Sequence, residues 1–156
     1  MNRFIDFVKI LFCMFFEEFN MDYSAKTRGR TVTESDIVVF STMTGAYNSL
    51  FLNEEFSKKT QFGGRIAPGL LTASIATGLV YLLPQSPFEN GFVALLNLNF
   101  SAKKSVKIGD TLVLDLKVKE MKEKAKTGIV VLSSSVKNQK EEEVMTIEHT
   151  IMVNKR

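Results

Sequence analysis

Between Gly69 and Leu83 the chain carries Leu70, Leu71, Ile75, Leu79, Val80, Leu82 and Leu83, with Tyr81 and small or weakly polar residues filling the rest. A helix without a polar face is normally wrapped by other structure. At about 1.5 Å per residue the run spans roughly 22 Å, too short to cross a bilayer. Just upstream, Gly63 and Gly64 free the backbone. Pro68 suits a first helical turn, where its missing N–H has no intrahelical acceptor to lose. The run therefore predicts a buried helix enclosed by something curved, with its N-terminal amides aimed into a site.

The rest of the chain supplies the enclosure. Thr33 followed by Glu34 and Asp36 is an N-cap with an acidic first turn, opening a helix that ends near Gly45. Asn53, Glu54 and Glu55 repeat that pattern for a short helix closed by Lys58 and Lys59. After Pro84, Pro87 and Gly91 the pattern changes to alternation. Phe92 to Ala102 reads as a strand with Phe92, Ala94, Leu96, Leu98 and Phe100 on one face. Leu112, Leu114, Leu116 and Val118 mark a second strand, Ile129 to Val136 a third, and Val144 to Val153 a fourth. Between the second and third, Lys119 to Lys126 reads as a solvated strand end or hairpin closed by Gly128. Helices first and an antiparallel run afterwards give the α+β class.

Composition narrows the function. A net charge of +3 with no aromatic-basic motif argues against nucleic acid. One cysteine, Cys13, excludes an internal disulfide framework, and one histidine leaves no metal-ligand cluster. No cofactor or metal is expected, and a reducing, cytoplasmic setting fits best.

The segment FGGRIAPGLLTASIATGL, Phe62 to Leu79, resembles the central-helix segment of the MaoC-like, (R)-specific enoyl-CoA hydratase family, and the likeness runs from about Thr31 to the C-terminus. The resemblance implies the hot-dog fold, a long central helix wrapped by a curved antiparallel sheet. It also implies an acyl thioester ligand, carried on CoA or an acyl carrier, and two hot-dog units paired with CoA across their interface. The family's pattern Gly-Asp-x-Asn-Pro-x-His, whose Asp and His are the catalytic pair, falls here on Gly45, Ala46, Tyr47, Asn48, Ser49, Leu50 and Phe51. Both catalytic positions are therefore substituted, by Ala46 and Phe51, and no catalytic residue is assigned. Gly69 matches the residue whose backbone N–H forms the family's oxyanion hole. Asn48 and Arg65 also match family positions. Asn48 either contacts the ligand or braces its loop. Arg65 either sits on the surface or contacts a phosphate or Glu54. His149 alternates with apolar residues on the last strand, and a structural imidazole is expected there.

At the N-terminus, residues 1–20 are rich in Phe and read as an amphipathic helix packed on the body or on a partner subunit. Charges interrupt its apolar run, and its polar stripe lacks the Lys/Arg richness of membrane-surface helices. Met21 is a second candidate start. Residues 21–30 read as a polar linker and 31–156 as the hot-dog domain. Three functions remain open: a thioester binder that has lost hydratase chemistry (a carrier, a sensor or the non-catalytic subunit beside a catalytic partner), a thioester enzyme using other residues, and an oligomeric scaffold. A homodimer or higher oligomer is expected in each.

Overall fold

A computed structural model describes residues 14–156. Two short strands, β1 (Ser24–Lys26) and β2 (Arg30–Thr31), precede helices α1 (Glu34–Thr44), α2 (Ser49–Leu52) and α3 (Glu54–Lys58). The central helix α4 (Gly69–Tyr81) follows, and then the long strands β3 (Phe92–Ala102), β4 (Thr111–Glu123), β5 (Thr127–Lys137) and β6 (Glu143–Asn154). The six strands form an antiparallel sheet of order β1-β4-β5-β6-β3, with β2 also paired to β4. This is the hot-dog arrangement, in which one face of the sheet closes on α4.

Alternation puts the core where period-two reasoning places it. Leu112, Leu114, Leu116 and Val118 of β4, Val130, Leu132 and Val136 of β5, and Met145, Ile147, Ile151 and Val153 of β6 are all buried. They pack with Leu71, Ile75, Leu79 and Val80 of α4.

The sheet does not cover every side of the central helix: Leu70 is 61% exposed and Leu82, just past its end, 71%. Two sequence expectations are corrected. In β3 the strict alternation fails because the register slips twice, between Phe92 and Ala94 and between Leu95 and Asn97. The first irregularity inverts the alternation and the second restores it. Phe92, Leu98 and Phe100 thus oppose the inward residues Val153, His149 and Ile147, as the alternation predicts, while Leu95, opposite Ile151, stands where Ala94 and Leu96 are expected. Residues 21–30 are not a linker, because Ser24–Lys26 and Arg30–Thr31 pair with β4. Main-chain bonds hold this polar edge: the Thr27 N–H donates to the Leu114 carbonyl, and the Leu114 N–H donates to Thr27 Oγ1, each at 3.0 Å. Of the helix expected over 1–20, residues 1–13 lie outside the described residues, while residues 14–20 hold only a 3-10 turn, Phe16–Glu18.

That N-terminal turn is docked on the sheet. Met14, Phe16 and Phe19 are buried. A Cβ on Gly128 would lie 1.9 Å from the Phe16 ring, and one on Gly91 would lie 2.1 Å from the Met14 carbonyl oxygen. Only glycine admits such approaches. Arg156 completes the clasp by ion pairing with Glu18 and stacking over Phe15 at 5.4 Å.

Candidate functional site

The segment leading to α4 is a chain of capped turns. Thr33 caps α1 by accepting from the Asp36 N–H, and Asp36 returns the bond to the Thr33 N–H at 2.8 Å. Burial alone would raise the Asp36 carboxyl, but the Thr33 amide and Arg30, 2.6 Å away, hold it below the usual carboxylate range. Gly45 ends α1 in the left-handed region at φ 73°, a conformation that costs glycine nothing. The loop from Ala46 then runs into α2, where Asn48 Oδ1 accepts from the Leu50 N–H at 2.9 Å. Asn48 is therefore a helix cap, the bracing role open to it from sequence. Asn53 caps α3 in the same way, through the Phe56 N–H.

Arg65 turns toward these helices. Its guanidinium reaches Glu34 at 2.9 Å and Glu54 at 3.3 Å, and its side chain is only 16% exposed. It clamps the start of α1 to the start of α3, so of the roles left open to it the structure realises the Glu54 contact. The Ile66 N–H donates to the Leu50 carbonyl and the Ala67 N–H to the Val106 carbonyl, fixing the approach to Pro68 between α2 and the β3–β4 connection. Pro68 sits just outside the helix in extended geometry, and Gly69 opens it.

Gly69 borders a cavity of about 250 Å³ whose lining includes Phe62, Ile66, Val106, Met145, Lys103 and Lys104. As a first-turn residue, Gly69 has an N–H without an intrahelical acceptor, and the helix dipole adds partial positive charge there. A group with developing negative charge on oxygen would be stabilised at this point. Among the described residues, the two lysines are the only titratable ones lining the cavity. Sequence reasoning missed them; the signal was the tandem Lys directly after the third strand's end, in SAKKS.

The other sequence candidates lie elsewhere. Asn48 and its neighbour Tyr47 border a separate surface hollow of about 200 Å³, with Ser49, Leu52 and Asn53. No residue lines both cavities. Phe51 packs against the core, and the main-chain link from Leu50 to Ile66 joins its helix to the segment before Gly69.

His149 is fully buried, with Nε2 2.9 Å from Thr77 Oγ1. Thr77 Oγ1 also lies 2.9 Å from the Ala73 carbonyl. Both contacts are satisfied if Thr77 donates to Ala73 and accepts from an Nε2–H, which leaves Nδ1 an acceptor with no hydrogen-bond partner among the described residues. Burial drives the imidazole pKa down to about 4, so it is neutral at pH 7. It also meets the Phe88 ring edge-on at 5.5 Å. His149 does not line the Gly69 cavity; it is a core residue.

Among the described residues, no group of three His, Cys, Asp or Glu could hold a metal ion, and no helix is long and apolar enough to cross a membrane.

Comparison with known proteins places this geometry. The MaoC like domain family matches residues 18–140. The 3-hydroxybutyryl-CoA dehydratase of Methylorubrum extorquens is 35% identical over 92 residues, which are 59% of this chain and 56% of that protein. The match thus spans little more than half of that relative's length. The (R)-specific enoyl-CoA hydratase of Rhodospirillum rubrum is 31% identical over 104 residues, 67% of this chain and 69% of that protein. Among solved structures, a monoamine oxidase regulatory protein from Archaeoglobus fulgidus superposes with a TM-score of 0.85 at 33% identity, covering 92% of this chain and 95% of that one. A double hot-dog protein of Mycobacterium tuberculosis, 16% identical with a TM-score of 0.77, covers 92% of this chain and 44% of its own, and shares the fold alone. With the family matched across most of its length, and the hot-dog sheet and central helix in place, the chain belongs to the MaoC-like domain family.

Proposed function

We propose that the protein binds an acyl thioester, on CoA or an acyl carrier, and has lost the family's hydratase chemistry. One observation carries this reading: the cavity beside Gly69 keeps a helix N-terminus and an apolar wall but, among the described residues, is lined by no carboxylate and no imidazole. The Gly69 N–H would polarise the thioester carbonyl. Hydration would further need a base to activate water and an acid to protonate the neighbouring carbon. Positioned acid–base groups contribute about 10² to 10⁴ in rate. The residues at the two positions that carry them in the family are Ala46 and Phe51. Other carboxylates on this side are engaged: Glu34 and Glu54 with Arg65, Asp36 with Arg30. The reading makes the protein a carrier, sensor or non-catalytic subunit in a reducing, cytoplasmic setting, for which the single cysteine is the support.

The same reading includes a second copy of the chain. Among the described residues, strand β3 ends the sheet, and its Val93, Leu95, Leu96 and Leu98 are exposed together with Leu70 and Leu82. An eleven-residue edge carrying these apolar side chains, left open, would invite aggregation. A twofold pairing along β3 would cover it, and sedimentation equilibrium should report a dimer or higher species.

The test of the emptied site is the double substitution Ala46→Asp with Phe51→His. Crotonyl-CoA hydration, followed by loss of enoyl absorbance, should be near zero in the wild type and both single variants and should rise clearly in the double. Hydration by the wild type at a rate typical of enzymes would show that other residues do the chemistry.

A further inference from the structure

The Gly69 cavity carries one feature that a thioester carbonyl does not account for: an uncompensated positive charge. Of its two lysines, Lys104 is neutralised. Its Nζ lies 2.8 Å from Glu142 Oε1, and that ion pair, aided by Asn138, holds the Glu142 carboxyl below its ordinary range. Lys103 forms no ion pair among the described residues. The backbone beneath it is fixed, because the N–H groups of Lys103 and Lys104 both donate to the Val144 carbonyl, at 2.9 and 3.2 Å. The corner after β3 therefore presents a solvent-exposed ammonium, without an ion-pair partner among the described residues, beside a cavity whose other described lining residues, apart from the paired Lys104, are uncharged. The neighbouring charges do not cancel it: Lys107, on the same connection, adds a further cation, and Asp110 is turned to the Lys107 N–H at 2.8 Å and to the Gln139 side chain at 2.9 Å.

We infer that Lys103 binds a phosphate on the arm that carries the acyl thioester. The inference rests on the thioester reading above and names the part of the ligand that this side of the cavity takes. CoA and the prosthetic arm of acyl carrier proteins share a phosphorylated pantetheine, so the chemistry recognised is a phosphate monoester or diester in either source. An ammonium on a fixed corner suits that task as a point charge, with geometry set by the backbone and reach by the flexible stem. The apolar wall formed by Phe62, Ile66, Val106 and Met145 gives the uncharged part of the arm a surface to lie on. Phosphate contacts of this exposed kind are weakened by salt, so the preference they create falls as ionic strength rises.

The experiment compares three saturated ligands, butyryl-CoA, butyryl-4′-phosphopantetheine and butyryl-pantetheine, by calorimetric titration of the full chain. The proteins are the wild type, Lys103→Ala, Lys103→Glu and Lys104→Ala. The wild type should prefer the two phosphorylated ligands by about tenfold, as expected for a single charge-assisted contact discounted for exposure. Lys103→Ala should erase that preference and leave butyryl-pantetheine affinity unchanged. Lys103→Glu should reverse it, and Lys104→Ala should leave it in place. Equal affinity for the CoA and phosphopantetheine ligands would assign the contact to the phosphate they share. A CoA preference lost in Lys103→Ala would assign it to the nucleotide end. Equal binding of all three ligands by the wild type would overturn the phosphate inference alone. No binding of any would overturn the thioester reading beneath it.

Discussion

Replacing Gly128 by Ala should expel Phe16 from the sheet, and a double-mutant cycle can show it. The new Cβ would lie 1.9, 2.3 and 2.5 Å from three carbons of the Phe16 ring, separations no rotamer adjustment of a methyl can relieve. The ring must leave, and Phe16 is only 9% exposed where it sits. Returning a buried Phe side chain to water costs about 2 kcal/mol. That lowers the melting temperature by roughly 6 °C for a chain of this size. Phe16→Ala alone removes the same packing and leaves a hollow, costing about 3 kcal/mol. In the double variant the clash no longer exists, and Ala in a strand recovers about 0.5–1 kcal/mol over Gly. The double should therefore be no less stable than Phe16→Ala, with an interaction free energy of about 2–3 kcal/mol. Urea unfolding of the four proteins, with equal m-values as the check on two-state behaviour, measures it. Additive losses, or a neutral Gly128→Ala, would refute the docking of the N-terminal turn on β5.

Two further outcomes follow from the site and the core. A Cβ on Gly69 would come no closer than 3.8 Å to Phe100, so Gly69→Ala should fold with unchanged stability yet lose the thermal protection that acyl-CoA gives the wild type; a differential scanning experiment with and without ligand reads both. His149, whose pKa falls from 6.5 to about 4 on folding, stabilises the native state fully above pH 6.5 and loses that contribution as pH drops toward 4. His149→Leu, which leaves the Thr77 hydroxyl bonded to Ala73, should remove about 2 kcal/mol of the stability lost between pH 7.5 and pH 5, measured by unfolding at each pH.

What could be read before folding was whatever depends on local periodicity. The alternating leucines of β4 and the charge-free run of α4 announce their structures because burial imposes period two on one and a continuous apolar run on the other. Strand β1 was invisible, since a polar edge strand is held by main-chain bonds to Leu114 and Leu116 neighbours and needs no apolar pattern. The middle of β3 escapes the alternation because two irregularities flanking Ala94 and Leu95 put Leu95, in place of Ala94 and Leu96, opposite an inward residue of β6, and nothing in the composition marks them. Gly128 looked like the closure of a hairpin; its role beneath Phe16 exists only once residues far apart in sequence meet. For the same reason Gly69 could be singled out by its place before an apolar helix, whereas Lys103 joins it only through the topology that brings the end of β3 beside the start of α4. Asn48 and Arg65 show the reverse case: their capping and ion-pairing roles satisfy local needs without any ligand.

The central claim, a thioester site that binds without turning over, is tested most directly by titrating crotonyl-CoA into the wild-type protein and analysing the bound ligand afterwards. The account predicts saturable binding, with the recovered ligand still crotonyl-CoA after a time in which an ordinary enzyme, at about 10 per second, would have reached equilibrium with 3-hydroxybutyryl-CoA. Recovery of the hydrated thioester at such a rate would contradict the loss of chemistry, and the absence of any binding at millimolar ligand would contradict the site itself.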